Sequence, residues 1–184
     1  MPAINLFRFN SLESIENSMN ISRYLKEESI VLAFKPEQGK PPEDSNSIRW
    51  KDRNKEQVLS DLVDLMEKSG RIGNKCKLLT DFINRERKAT TAIGHGIAIP
   101  HVRTMQAKEF IIGFARSDEG IDFNSPDQEP VHLFFIMAAP PYDDNLYLKV
   151  FKALAESLQY ESFRQELMDA QAPYEVIRAF KKME

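Results

Sequence analysis

Three short apolar runs in the middle of the chain, residues 97–99, 110–115 and 131–137, most constrain what this sequence can fold into. Each is strand-sized, rich in Ile, Val and Phe, and bounded by glycine, proline or acidic turns. Helical patterns lie on both sides of them. Before the runs, Val58, Leu59, Leu62, Val63, Leu65 and Met66 recur at helical spacing, after a capping box of Asn54 and Gln57 and ahead of a stop at Gly70. Asn74 opens a second helix with Leu78, Leu79, Phe82 and Ile83 on its inner face, and that helix runs into Arg85-Glu86-Arg87. After the runs, Asp143 or Asp144 starts a helix that turns Leu148, Phe151, Leu154, Ala155 and Leu158 inward. Residues 161–170 add another turn or two. Pro173 opens a last helix with Val176, Ile177 and Phe180 inward. Strands flanked by helices on both sides are accommodated by a sheet covered on its two faces, an α/β fold.

The N-terminal part is less patterned. Residues 1–18 read as a loose extension. Residues 20–26 read as a capped short helix, with Asn20 as cap and Ile21, Tyr24 and Leu25 on one face, and residues 30–34 as a buried strand. Residues 36–47 hold three prolines, one glycine and almost no apolar side chain. Such a stretch buries too little to offset its ordering entropy, so a mobile loop is expected there. No internal repeat is visible. One domain over residues 19–184 accounts for the rest.

Length and charge narrow the function. A chain of 184 residues is long enough to bury a core without disulfides or a structural metal. A formal net charge of -3 argues against a nucleic-acid partner. The longest apolar run, residues 134–141, is far short of the roughly 20 residues of a spanning helix. The N-terminus lacks a signal pattern, so no direct membrane insertion is expected. One cysteine, Cys76, rules out a disulfide framework or a cysteine-based zinc cluster, and it reads as helix packing. A cytoplasmic location follows as the expectation.

Two of the three histidines share one segment, residues 85–103, RERKATTAIGHGIAIPHVR. Gly94 and Gly96 permit a tight turn whose amides can meet an anion. Residues 97–99 form a short strand. Pro100 lacks an N–H, so the strand is expected to end where His101 appears. Arg85 and Arg103 can give charge-assisted bonds to a phosphate. A neutral imidazole has one nitrogen lone pair that can attack phosphorus, and positioning with charge neutralisation does most of the remaining work. The plainer readings make His101 and His95 turn residues and His132 a hydrogen-bonded strand histidine. A zinc site from His95 and His101 lacks an evident third and fourth ligand. The Gly-His-Gly turn is neither a dinucleotide fingerprint nor a phosphate-binding loop of the Gly-Lys-Ser/Thr type.

The segment resembles the signature of the mannitol/fructose-type (type 2) IIA domain of the bacterial phosphoenolpyruvate-dependent sugar phosphotransferase system, which includes the nitrogen-regulatory IIA proteins. Arg85-Glu86, the residues 90–94 Thr-Thr-Ala-Ile-Gly, and the residues 96–101 Gly-Ile-Ala-Ile-Pro-His match without a gap. The resemblance implies a three-layer α/β/α sandwich with a mixed sheet, in a single domain, with residues 36–49 as an inserted loop. It implies that His101 accepts phosphate from the phosphocarrier protein HPr or its nitrogen-branch paralogue, with Arg85 stabilising the phosphate. It implies no organic cofactor and no metal.

Three positions depart from the family pattern. Val102 replaces a small residue after the histidine. His95 stands where Asn or Glu is usual. Tyr147-Leu148 replaces a His-Leu pair. His95, Gly96, Arg103 and Tyr147 are therefore secondary phosphate-binding candidates. The chain is expected to carry no fused HPr-like or IIB domain. Three roles stay open: a regulator whose phosphorylation controls a target protein, which is preferred; a sugar-system component passing phosphate to a separate IIB; and a binding module of this fold without phosphotransfer.

Overall fold

The computed structural model describes residues 19–37, 47–142 and 144–184. The expected 1–18 extension, and all but the two ends of the expected loop, lie outside these residues. At its far end the helix α1, Ser47–Glu67, has already begun, so residues 47–49 are helical rather than loop.

A mixed sheet forms the middle layer. Its strands are β1 (Leu25–Val31), β2 (Ala92–Gly94), β3 (Ile97–Ala98), β4 (His101–Arg103), β5 (Ile111–Ile121) and β6 (Val131–Ala139), in the order β1-β5-β6-β3-β2, with β4 also paired to β6. β5 and β6 are antiparallel, and β1 runs parallel to β5. β3 and β4 both run parallel to β6, one after the other along the same edge. The remaining helices are α2 (Lys75–Glu86), α3 (Asp144–Ser157), α4 (Glu161–Asp169) and α5 (Pro173–Met183).

The central strands are apolar on both faces because both faces are covered. Along β6, Leu133, Phe135 and Met137 pack with Val150, Leu154, Phe163 and Phe180 of α3–α5. Phe134, Ile136 and Ala138 face the opposite way, against Val58, Leu62, Met66, Leu78 and Phe82 of α1 and α2. The expected three-layer α/β/α sandwich is what forms.

Several local expectations change. The short helix is a single 3-10 turn, Ile21–Arg23, and Leu25 already belongs to β1, where it pairs with Ile112. Sheet pairing overrides local helix preference there, and Ile21 and Leu25 stay buried in either case. Asn54 is not a cap. It sits inside α1, buried, because residues 47–53 contain no proline or glycine and carry the helix back to Ser47. Its expected partner Gln57 bonds Asp61 instead, at 2.9 Å. Asn74 does cap α2, accepting from the Lys77 N–H at 2.9 Å. In α3 the inward residue is Tyr147, not Leu148, which is 62% exposed. Cys76 is exposed rather than packed.

Candidate phosphoacceptor site

The site is built where β4 leaves Pro100. The strand does not end at His101, as expected; it restarts there. The ladder passes through Pro100 because its carbonyl accepts from the Met137 N–H at 2.8 Å, a bond that needs no proline N–H. β4 then pairs His101 with Met137 and Arg103 with Ala139. Alternation sends Val102 into the core on the α1/α2 side, where it is 6% exposed. Its bulk is mostly buried below the site rather than raised in front of it. His101 is left half-buried on an edge strand, with Phe151 edge-on at 5.0 Å and the Tyr147 ring at 6.2 Å.

Arg85 ends α2 beside this edge. One guanidinium nitrogen, Nη1, donates to the Ala89 carbonyl at 2.9 Å, which holds the group in place. The other, Nη2, lies 3.0 Å from His101 Nε2. A guanidinium has donors only, so Nε2 must be the acceptor in this contact. The ring proton is then on Nδ1, which donates to the Ile99 carbonyl at 2.6 Å. The two bonds select one tautomer and leave the Nε2 lone pair facing the cleft cation.

Burial lowers the His101 pKa below its ordinary value of 6.5. The Ile99 bond opposes this, Arg85 adds to it, and Glu86 opposes it weakly. The imidazole is therefore neutral and nucleophilic at neutral pH. An NMR titration of the His101 ring should give a midpoint below about 6.5, the free-histidine value. Between that midpoint and about 6.5 the unfolded chain binds more protons than the folded one, so this residue's contribution to stability falls as pH falls through the window. A midpoint at or above 6.5 would contradict the arrangement.

The surrounding cleft has a volume of about 710 Å³. Asp81, Asn84, Arg85 and Lys88 line one wall, spaced as a single helical face of α2 and the turn after it. Asp81 accepts from the Thr104 hydroxyl at 2.5 Å, which ties α2 to the link after β4. Arg103 and Tyr147 also line the cleft, the guanidinium 5.8 Å from the ring centre. Burial raises the Tyr147 pKa, with Arg85 and Arg103 opposing, so the phenol stays protonated and able to donate.

The structure thus brings His101, Arg85, Arg103 and Tyr147 together. It does not bring His95 and Gly96 to them. β3 pairs Ile97 with Leu133 and β4 pairs His101 with Met137, four residues further along β6, a separation of about 13 Å at ordinary strand rise. His95 and Gly96 lie beyond the far end of that span. The turn amide does meet an anion, but it is the chain's own: His95 N–H donates to Asp127 Oδ2 at 2.8 Å. Gly96 instead accepts from the His132 and Leu133 amides. Among the described residues no group of His, Cys, Asp and Glu could hold a metal, and no helix is long and apolar enough to cross a membrane.

Glu86, carried along in the Arg-Glu pair, proves to be structural. Its carboxylate is buried, bonds Lys55 Nζ at 2.6 Å, and accepts from the Thr91 hydroxyl at 2.6 Å and from the Thr91 amide. Asp81, Asn84 and Lys88 carry no site role in the sequence reading, and Phe151 figures there only as an inward helix residue. The signal for the first three was present: with Arg85 they form an i, i+3, i+4, i+7 polar stripe.

Residues 44–183 match the family described as "Phosphoenolpyruvate-dependent sugar phosphotransferase system, EIIA 2". The chain belongs to this family. The EIIA 2 chain is 36% identical over 118 residues to the fructose-specific EIIA component of Haloferax volcanii, covering 64% of itself and 77% of that protein. It is 34% identical over 125 residues to the fructose-specific EIIABC component of Bacillus subtilis, covering 68% of itself but only 20% of that longer protein. Among solved structures it is similar to the nitrogen regulatory protein IIA-Ntr from Neisseria meningitidis, with a TM-score of 0.72, 26% identity, and coverage of 87% of this chain and 98% of that one.

Proposed function

We propose that this EIIA 2 chain accepts a phosphoryl group on His101 Nε2 from the phosphohistidine of an HPr-like phosphocarrier protein. The observation that supports this best is the Nε2 lone pair held against Arg85 while Nδ1–H is committed to Ile99. The lone pair attacks phosphorus as the donor's P–N bond breaks, and that bond's electron pair returns to the donor imidazole. The Nδ1 proton stays where it is, so no acid or base is needed. Arg85 swings from the lone pair to the phosphoryl oxygens with two parallel donors, and Tyr147 and Arg103 line the same cleft. Incubation with phosphoenolpyruvate, enzyme I and HPr tests this, the expected result being an acid-labile, base-stable phosphoprotein. No label under these conditions would overturn it.

Arg85→Lys separates phosphate binding from helix capping. Lysine keeps the charge at the helix end, a contribution of about 0.3–1 kcal/mol, but loses the planar fork. Stability should be near normal, with transfer from HPr slowed at least about tenfold, or about 1.4 kcal/mol of transition-state stabilisation. Transfer at the normal rate would reduce Arg85 to a cap.

The phosphoryl state then reports to a regulated partner protein. Tyr147 in place of a second histidine, and the likeness to a nitrogen regulatory protein over 87% of the chain, support this destination. The likeness to a fructose-specific EIIA component favours a second reading, transfer to a separate sugar-specific IIB. Mixing the phosphorylated chain with a fructose-type IIB decides between them: retention of the label supports the regulator, and rapid transfer to IIB supports the second reading.

A further inference from the structure

The cleft holds one charge that phosphate binding does not call for. Asp81 lines it together with Arg85, His101 and Arg103. An ionised carboxylate accepts hydrogen bonds and donates none, so it repels a phosphoryl group rather than holding it. The Asp81 side chain is instead committed to Thr104, whose hydroxyl donates to Oδ2 at 2.5 Å.

Thr104 is a junction. It is the first residue after β4 and is buried. Its N–H donates to the Ala139 carbonyl at the end of β6, at 2.8 Å, and its hydroxyl also accepts from the Gln106 N–H at 3.1 Å. Further along, the Ile72–Ala107 bridge and a 2.7 Å bond from the Gly73 N–H to the Gln106 carbonyl tie the same link to the residues that lead into α2. Backbone bonds thus fix the link to β6 and to the approach to α2. The Asp81–Thr104 bond fixes it to α2 itself.

The two pieces joined by this bond carry the two groups that must meet. His101 begins β4, just ahead of Thr104, and Arg85 stands four residues after Asp81 on the same face of α2. Elsewhere α2 is held by Leu78 and Phe82 in the core, and apolar packing is non-directional. Glu86 fixes the end of the helix to Lys55 of α1 and to Thr91, not to β4. A hydrogen bond, by contrast, is directional. The 3.0 Å approach of Arg85 Nη2 to His101 Nε2 therefore forms a second rung, one helical turn or about 5.4 Å along α2 from the first.

We infer that Asp81 and Thr104 are positioning residues for phosphoryl transfer: their bond sets the separation of α2 and β4 at which Arg85 meets His101 Nε2. The inference rests on His101 as phosphoacceptor. Neither residue touches the phosphoryl group; both act through Arg85. A charged acceptor makes the stronger bond, which accounts for a carboxylate in a cleft built for an anion. The gain is in placement, because a displacement of about 1 Å at a reacting pair can cost about a hundredfold in rate.

Thr104→Val tests this, since valine keeps the buried shape and lacks the hydroxyl. Labelling of His101 by a phosphorylated HPr-like protein and by phosphoramidate, a small phosphoryl donor, should slow about tenfold alike. With the protein donor the maximal rate should fall and the half-saturating concentration stay unchanged. The NMR titration midpoint of His101 should rise, because Arg85 lowers it in wild type. Glu86, Lys88, Arg103 and Tyr147, the other titratable groups around the ring, are present in both proteins. Thr104→Ser restores the hydroxyl and should return rate and midpoint to near the wild-type values. Asp81→Ala, at a half-buried helix position that alanine suits, should match Thr104→Val in rate, and the double variant should be no slower than either single one. Should Thr104→Val fail to fold, Asp81→Ala carries the same comparison of donors. Slowing with the protein donor alone would assign the pair to docking and overturn the inference. So would a wild-type rate and midpoint in folded Thr104→Val, or a serine variant as slow as the valine one. The midpoint is read without phosphate, so the two readings fail separately: wild-type His101 left unlabelled by both donors removes the phosphoacceptor, and an unchanged midpoint in Thr104→Val removes the positioning pair.

Discussion

The variant His101→Ala takes up no phosphoryl group from phosphoenolpyruvate, enzyme I and HPr, under conditions that label wild type fully. The expectation is loss of labelling, not a slower rate, because no other imidazole can take its place. His95 lies beyond the opposite end of β3, held by Asp127. His132 Nδ1 bonds the Ser117 carbonyl, and the Gly96 and Gly120 backbones crowd its ring. Folding should survive, since His101 is an edge-strand residue whose ring rests on Phe151 rather than inside either core. Mass spectrometry that preserves phosphohistidine, with a thermal midpoint recorded alongside, checks both statements. Phosphate on His95 or His132 in a folded variant would contradict them.

Glu86→Ala has the largest expected effect on stability. The substitution strands Lys55, whose side chain is 11% exposed and lies 4.9 Å from the Phe123 ring centre, without its carboxylate. It also removes the acceptor for the Thr91 hydroxyl and amide. Breaking one side of a buried pair in this way costs about 3 kcal/mol, or roughly 6–12 °C in Tm for a chain of this size. Differential scanning calorimetry measures it directly. Glu86→Gln keeps an acceptor for Thr91 and should lose less. If Glu86→Ala melts within a degree of wild type, Glu86 does not hold the turn that leads into β2 and the histidine strand.

The layered fold could be read from the sequence because its signals are periodic. Strands with apolar runs and helices with inward stripes leave few ways to cover a sheet, and β5, β6 and α2 lie close to where the pattern puts them. The misreadings occur where pairing outweighs local preference. Leu25 has helical neighbours but pairs with Ile112, and His101 follows a proline yet resumes the ladder through the Pro100 carbonyl. In the site, His101 and Arg85 could be read from a contiguous motif. Their 3.0 Å contact could not, because it joins the end of a helix to an edge strand. His95 was misplaced for the same reason. Six residues of sequence look near, but four residues of strand carry the turn to the other end of the sheet. Glu86 offered no separate signal, since its partner Lys55 is on another helix.

We propose that His101 reacts through Nε2 in the tautomer set by Ile99 and Arg85. Long-range ¹H–¹⁵N correlation NMR on the ¹⁵N-labelled chain, before and after phosphorylation, tests it most directly. Before phosphorylation, the spectrum should show His101 protonated at Nδ1 and bare at Nε2. Afterwards, the ³¹P-coupled nitrogen should be Nε2 of His101, with Nδ1 still protonated. A proton on Nε2 in the free protein, or phosphorus on Nδ1 or on His95, would contradict this assignment.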